Sequence, residues 1–177
     1  MPFLREFDVE KSAVIPNGLE KIHMWDLLPE FWTEQEAMYD RNNWANCPCF
    51  GYGNVKPEYD KLVQEFDAVL AKHGYVRDGN AYRVERPNTD TLIFFCHFGS
   101  EMMLLSRLFN TSPIVLTHHF VALTSSLTTI YSEERRKGIA TFRCAGFGDI
   151  GHLYAGDEPP SFSARFCEIF DSEDRHD

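Results

Sequence analysis

In the stretch TLIFFCHFGSEMMLLSRLF (residues 91–109), a histidine stands where an apolar run breaks, two residues before a glycine and ahead of a helical pattern. An imidazole can donate a proton, or carry positive charge toward an oxygen that is becoming negative. Gly99 lets backbone come close to a ligand because it has no Cβ. The free amides of the helix that follows point at any anion placed there. These residue types at this spacing predict an oxyanion, phosphate above all, held between His97 and a helix start. A core histidine bonded to a backbone carbonyl fits the same pattern, and at this level both readings stand.

The elements around His97 follow from the pattern. TLIFFC (91–96) is a continuous apolar run, as expected of a strand buried on both faces of a largely parallel sheet. Ligands of open α/β sheets collect outside the carboxyl ends of strands, where His97 falls. Ser100 is predicted to cap a helix carrying Met103, Leu104, Leu108 and Phe109. Upstream, Leu62, Val63, Phe66, Val69 and Leu70 fall on one helical face, with Pro57 in the first turn and Gly74 as the closing cap. AYRVE (81–85) reads as an edge strand or hairpin piece, and residues 2–9 as a short strand and loop ending near Glu6. Pro113 marks a turn. LTTIYS (127–132) and IATFRC (139–144) read as two strands joined by the charged turn EERRKG. Strand–helix alternation followed by a hairpin predicts an α/β fold with helices on both faces. Between residues 24 and 52, prolines and glycines break up an aromatic-rich insertion, with one helix expected over EFWTEQEAMYD (30–40).

The 177 residues are 44% hydrophobic and 14% aromatic, enough for the core of one ordinary domain. A net charge of −10 disfavours nucleic acid and anionic membranes as partners. It disfavours phosphate esters too, so a phosphate site needs its own local donors. Five scattered cysteines fit reduced thiols better than a disulfide framework. The charged start has no signal-peptide core, and no apolar run approaches the ~20 residues of a membrane span. A cytoplasmic protein is expected.

CHFGSEMMLLSRLF resembles the second-histidine segment of the histidine phosphatase superfamily, the phosphoglycerate-mutase-like enzymes. FLREF, near the start, resembles the segment that supplies that family's acidic residue, here Glu6. The stretch from TSSLTTIYSEERRKGIATFRC to PSFSARF resembles its closing hairpin and His-Leu segment, here His152-Leu153, in the wording of a bacterial branch. The likeness spans about residues 3 to 170. It implies a three-layer α/β/α sandwich with a mostly parallel sheet. It implies phosphomonoester hydrolysis or phosphoryl transfer through a phosphohistidine, on a small phosphorylated substrate and without metal or cofactor. By the resemblance, His97 stabilises the transferring charge, Glu6 protonates the leaving oxygen, and Phe98 and Gly99 lie against the substrate. The aromatic insertion would cover the site.

The family's nucleophile lies in an Arg-His-Gly tripeptide ending the first strand, and these residues contain none. Lys72-His73-Gly74 closes a predicted helix, and Arg175-His176-Asp177 sits in an acidic tail that frays from about residue 171. The expectation is one incomplete domain over residues 1–177, truncated at its N-terminus, with the first β-α-β unit of at least ~30 residues missing. Such a chain is expected to be inactive alone and, with strand edges left open, prone to self-association. The alternative is a non-catalytic protein binding a phosphorylated ligand or a partner on the same scaffold. Among other candidates, adjacent His118 and His119 diverge on any regular element, so packing or surface roles are expected. Cys47-Pro-Cys49 lacks the spacing and second ligand pair of a zinc site. Arg143 is within reach of phosphate, whereas Arg5 is expected to point away from Glu6's face. His152 is expected to tie down structure by hydrogen bonding. His23 and Glu20 lie near the predicted cover.

Overall fold

Pro29, Thr33 and Gln35 divide the stretch expected as one helix over residues 30–40 into two single turns, α1 (Pro29–Trp32) and α2 (Glu36–Tyr39). The cause is local: the Thr33 hydroxyl donates back to the Pro29 carbonyl at 2.5 Å, and Gln35 leaves helical geometry at φ −97°, ψ 88°. This computed structural model describes residues 1–7, 13–14, 21–51, 54–161 and 169–171. Residues 2–4 form a 3-10 turn rather than the predicted strand, and residues 8–9 of that prediction lie outside the described set. β1 (Ala13–Val14) and β2 (Lys21–Ile22) make a two-residue antiparallel pair.

α3 (Val55–Lys72) buries Leu62, Val63, Phe66 and Leu70 on one face, with Pro57 in its first turn. Gly74 follows the C-cap at φ 90°, a conformation that favours glycine, and a Cβ there would collide with the Arg86 carbonyl oxygen. β3 (Tyr75–Asp78) and β4 (Ala81–Val84) form a hairpin; β4 is interior, and β3 is the edge.

Residues 91–97 belong to no helix or strand, and from Thr91 to Cys96 the backbone bonds to nothing among the described residues. Exposure alternates along the segment. Leu92, Phe94 and Cys96 are half-buried, and Phe94 meets Phe66 edge-on at 5.7 Å. Ile93 and Phe95 point outward, 73% and 87% exposed. The expected strand buried on both faces is not formed: one face is packed, and among the described residues no strand pairs with it.

α4 (Phe98–Phe109) buries Met102, Met103, Leu104, Leu105 and Leu108 and ends at Asn110, which adopts the left-handed conformation at φ 56°. Pro113 opens α5 (Pro113–His119) rather than a turn. Ser112 is its cap, its hydroxyl accepting from the Ile114 amide at 3.2 Å. β5 (Leu127–Arg136) and β6 (Ile139–Asp149) form a hairpin longer than predicted, because the charged residues 133–136 continue the strand and the turn shrinks to Lys137-Gly138. α6 (Gly151–Ala155) follows.

The four-stranded sheet has the order β3-β4-β6-β5 and is antiparallel throughout. This corrects the expected mostly parallel sheet while keeping the mixed α/β class. Two tight hairpins supply every strand, and a two-residue turn permits only antiparallel neighbours. The parallel reading rested on 91–96, which joins no sheet.

One core cluster runs from Phe7 to Ala140. It includes Met24, Trp32, Met38, Trp44 and Phe50, so the aromatic segment is part of the core; each large side chain fully buried contributes about 1.5–3 kcal/mol. A polar network links the elements. Asp67 of α3 accepts from the Tyr82 hydroxyl at 3.0 Å and from two Arg107 nitrogens at 3.0 and 2.6 Å. Among the described residues, no helix is long and apolar enough to cross a membrane.

Candidate functional site in an open trough

His97 occupies the N-cap position of α4 in extended geometry, φ −117° and ψ 168°. Its ring is exposed and lines an open trough of about 2450 Å³. Glu6 lines the same trough and reaches the first turn of the same helix. Its Oε1 accepts the Ser100 amide at 3.2 Å and the Phe7 amide at 2.6 Å. A carboxylate on a helix N-terminus satisfies an orphan donor and faces the positive end of the dipole. Glu6 thus fills a place the sequence reading gave to an incoming anion. Ser100 is not the cap either; it lies inside the first turn, where its hydroxyl donates to the Arg5 carbonyl.

Gly99 does admit a close approach, but of protein atoms. It is buried, and a Cβ there would lie 2.6 Å from Trp25 Cζ3 and 2.7 Å from Glu6 Oε1. Trp25 stacks on His23 at 4.9 Å and 5°, and meets the ring of Phe98 edge-on at 6.0 Å. The structure therefore assembles Glu6, Trp25, Phe98 and Gly99 around the helix start below His97. Trp25 belongs to the aromatic-rich stretch 24–52, where no spacing singles it out. Glu101 was missed altogether, although it stands four residues after His97, the spacing of one helical face.

The trough is acidic. Glu6, Asp26, Glu30, Asp90 and Glu101 line it, and no lysine or arginine does among the described residues. Burial raises the Glu101 carboxyl above its ordinary value, with the Thr128 hydroxyl opposing, and burial likewise raises Asp26 against the pull of His23. Burial, then the nearby Glu101 and Glu6 charges, pushes the Cys96 thiol up to about 11. The two arginines considered as phosphate ligands are elsewhere: Arg5 lies 3.9 Å from Glu58, and Arg143 bonds Glu133 at 2.9 Å.

The remaining candidates divide by location. His118 stacks on Trp32 at 4.5 Å and shares a 3.1 Å hydrogen bond with the Met24 carbonyl, and His119 meets Trp32 edge-on. This is the packing role expected of the pair. Desolvation holds the His118 imidazole down at about 4. Cys47 and Cys49 are buried with sulfurs 3.3 Å apart, and among the described residues no group of three or more His, Cys, Asp or Glu side chains is placed to hold a metal. His73 ends α3 and pairs with Asp90 at 2.7 Å. His152 is exposed, and its ring makes none of the expected hydrogen bonds among the described residues. Glu20 and residues 175–177 lie outside the described set.

These features define a mixed α/β protein with a histidine and several carboxylates on an open trough. No family model, no curated protein and no solved structure matches the chain.

Proposed function

We propose that this chain is most of a histidine-phosphatase-like domain, which in complete form is a three-layer α/β/α sandwich that hydrolyses or transfers phosphomonoesters in the cytoplasm. The observation that carries the proposal is the shared position of His97 and Glu6. The histidine is exposed at the end of an extended apolar segment, and the carboxylate is fixed on the first turn of the helix that follows. In the complete domain a histidine from an Arg-His-Gly strand attacks phosphorus, and the leaving oxygen departs with a proton from Glu6. His97 meets the charge that spreads over the phosphoryl oxygens. Glu6 then takes a proton from the water that opens the phosphohistidine. Oε1 is engaged by two amides, so the proton passes through Oε2.

The 177 residues contain no Arg-His-Gly, so this chain by itself forms no phosphoenzyme. The unpaired segment 91–97 and the terminal strand β5 line one trough, which supports a further strand there in the complete domain. The second reading is a non-catalytic scaffold that binds a phosphorylated ligand or a partner, and the acidic lining favours its partner-binding form. Para-nitrophenyl phosphate separates the two. The chain alone is expected to show no turnover. A chain extended by a β-α-β unit whose first strand ends in Arg-His-Gly is expected to turn over and to lose activity on His97→Ala. An extended, folded chain that binds inorganic phosphate without turnover selects the scaffold reading.

A further inference from the structure

The segment Thr91–Cys96 alternates exposed and half-buried side chains as a strand would, yet it belongs to no sheet. Its amides and carbonyls bond to nothing among the described residues, and its outward side chains, Ile93 and Phe95, are apolar. Proteins blunt free strand edges with lysine, proline or a bulge. This edge has no proline and no charged residue between Thr91 and Cys96. β5 shows the same division. Its half on the trough, Leu127–Ser132, is uncharged, whereas Glu133, Glu134, Arg135 and Arg136 belong to the half that does not line the trough. β5 is also the terminal strand of the sheet. Two uncharged segments therefore border one open space, and of the two Thr91–Cys96 is the better acceptor, because β5 shifts register between Leu127 and Ile130. A strand placed about 4.8 Å from either edge would satisfy its backbone groups.

Charge selects the occupant. Glu6, Asp26, Glu30, Asp90 and Glu101 line the trough with no lysine or arginine beside them among the described residues. A second copy of this chain, at net charge −10, brings the same carboxylates and meets like charge. A strand bearing arginine or lysine meets opposite charge. We propose that the trough is an acceptor for one extended, apolar, cationic strand of another polypeptide, which pairs with Thr91–Cys96 and turns its basic side chains toward Glu6 and Glu101. The pairing is strand addition: main-chain bonds supply affinity, and alternate side chains supply choice. It requires no phosphoryl chemistry, but the complete domain proposed above would set a strand of its own in this place, so the inference concerns the 177 residues by themselves.

The test uses the full chain and a fluorescent, end-blocked heptapeptide of alternating valine and arginine. Two control peptides carry glutamate in place of arginine, or a central proline. The expected result is saturable binding that weakens with added salt, with both controls at least tenfold weaker. Hydrogen exchange should slow at residues 91–97. Phe95→Ser, at an exposed position that leaves the fold intact, should weaken binding, and so should Glu101→Gln. Equal binding of the glutamate peptide, protection elsewhere than 91–97, or no binding at millimolar peptide would each overturn the proposal. So would slow exchange at 91–97 without peptide that grows with protein concentration, because a second copy would then be the occupant.

Discussion

Gly99→Ala tests whether Trp25 and Glu6 sit on the start of α4, because the new methyl would enter the space both occupy. Its Cβ would lie 2.6 Å from Trp25 Cζ3 and 2.7 Å from Glu6 Oε1, about 1 Å inside the separation at which such atoms attract. Neither neighbour yields freely. Trp25 is held between His23 and Phe98, and Glu6 by the amides of Phe7 and Ser100. Overpacking of this kind costs roughly 1–3 kcal/mol. Displacing Glu6 from the Ser100 amide adds about 1.5 kcal/mol, the low end for a hydrogen bond to a charged group, since the site is half exposed. Alanine's helix propensity returns at most ~1 kcal/mol. The steric term wins, and with the full propensity return the expected net loss is about 1.5–3.5 kcal/mol. Urea unfolding at pH 7, followed by far-ultraviolet circular dichroism, measures it. In a Trp25→Ala background the same substitution should cost at least ~1 kcal/mol less, the mark of direct contact in a double-mutant cycle. Gly146→Ala, where a Cβ meets nothing within 4 Å, is the control and should leave stability unchanged or higher. A Gly99→Ala protein as stable as the parent would refute the contact of Gly99 with Trp25 and Glu6.

Lowering the pH should unload His118. Its folded value, about 4, lies below the ordinary 6.5, so its contribution is complete above pH 6.5 and is lost as pH falls toward 4, at most ~3 kcal/mol. His118→Gln should flatten the pH dependence of the urea midpoint over that window; unchanged curvature would count against a buried neutral ring. Asp67→Ala strands the Tyr82 hydroxyl and the Arg107 guanidinium, and should cost about 2–4 kcal/mol by urea unfolding, against less for Asp67→Asn. With iodoacetamide at pH 8, mass mapping should find exposed Cys144 alkylated well before Cys96, whose thiol at about 11 leaves roughly one thiolate in a thousand. Buried Cys47 and Cys49 should react only on unfolding, and early labelling of either would contradict their burial.

By itself the sequence determined what is local. The 3.6-residue recurrence from Leu62 to Leu70 specified α3, and Gly74 its end, because period and cap are read within one or two turns. The β5–β6 hairpin and the helix carrying Met103, Leu104 and Leu108 were legible on the same ground, and so was His97 standing between an apolar run and a helix. Tertiary structure alone decided what TLIFFC pairs with. An apolar run carries no label for its neighbour, and here, among the described residues, it has none. Tertiary structure also brought Glu6 to Ser100 across 94 residues, set Trp25 against Gly99, and lined the trough with carboxylates while directing Arg5 and Arg143 to other partners. Those contacts join elements far apart in the chain. Their energies depend on how several faces fit at once, and no spacing within one element records that fit.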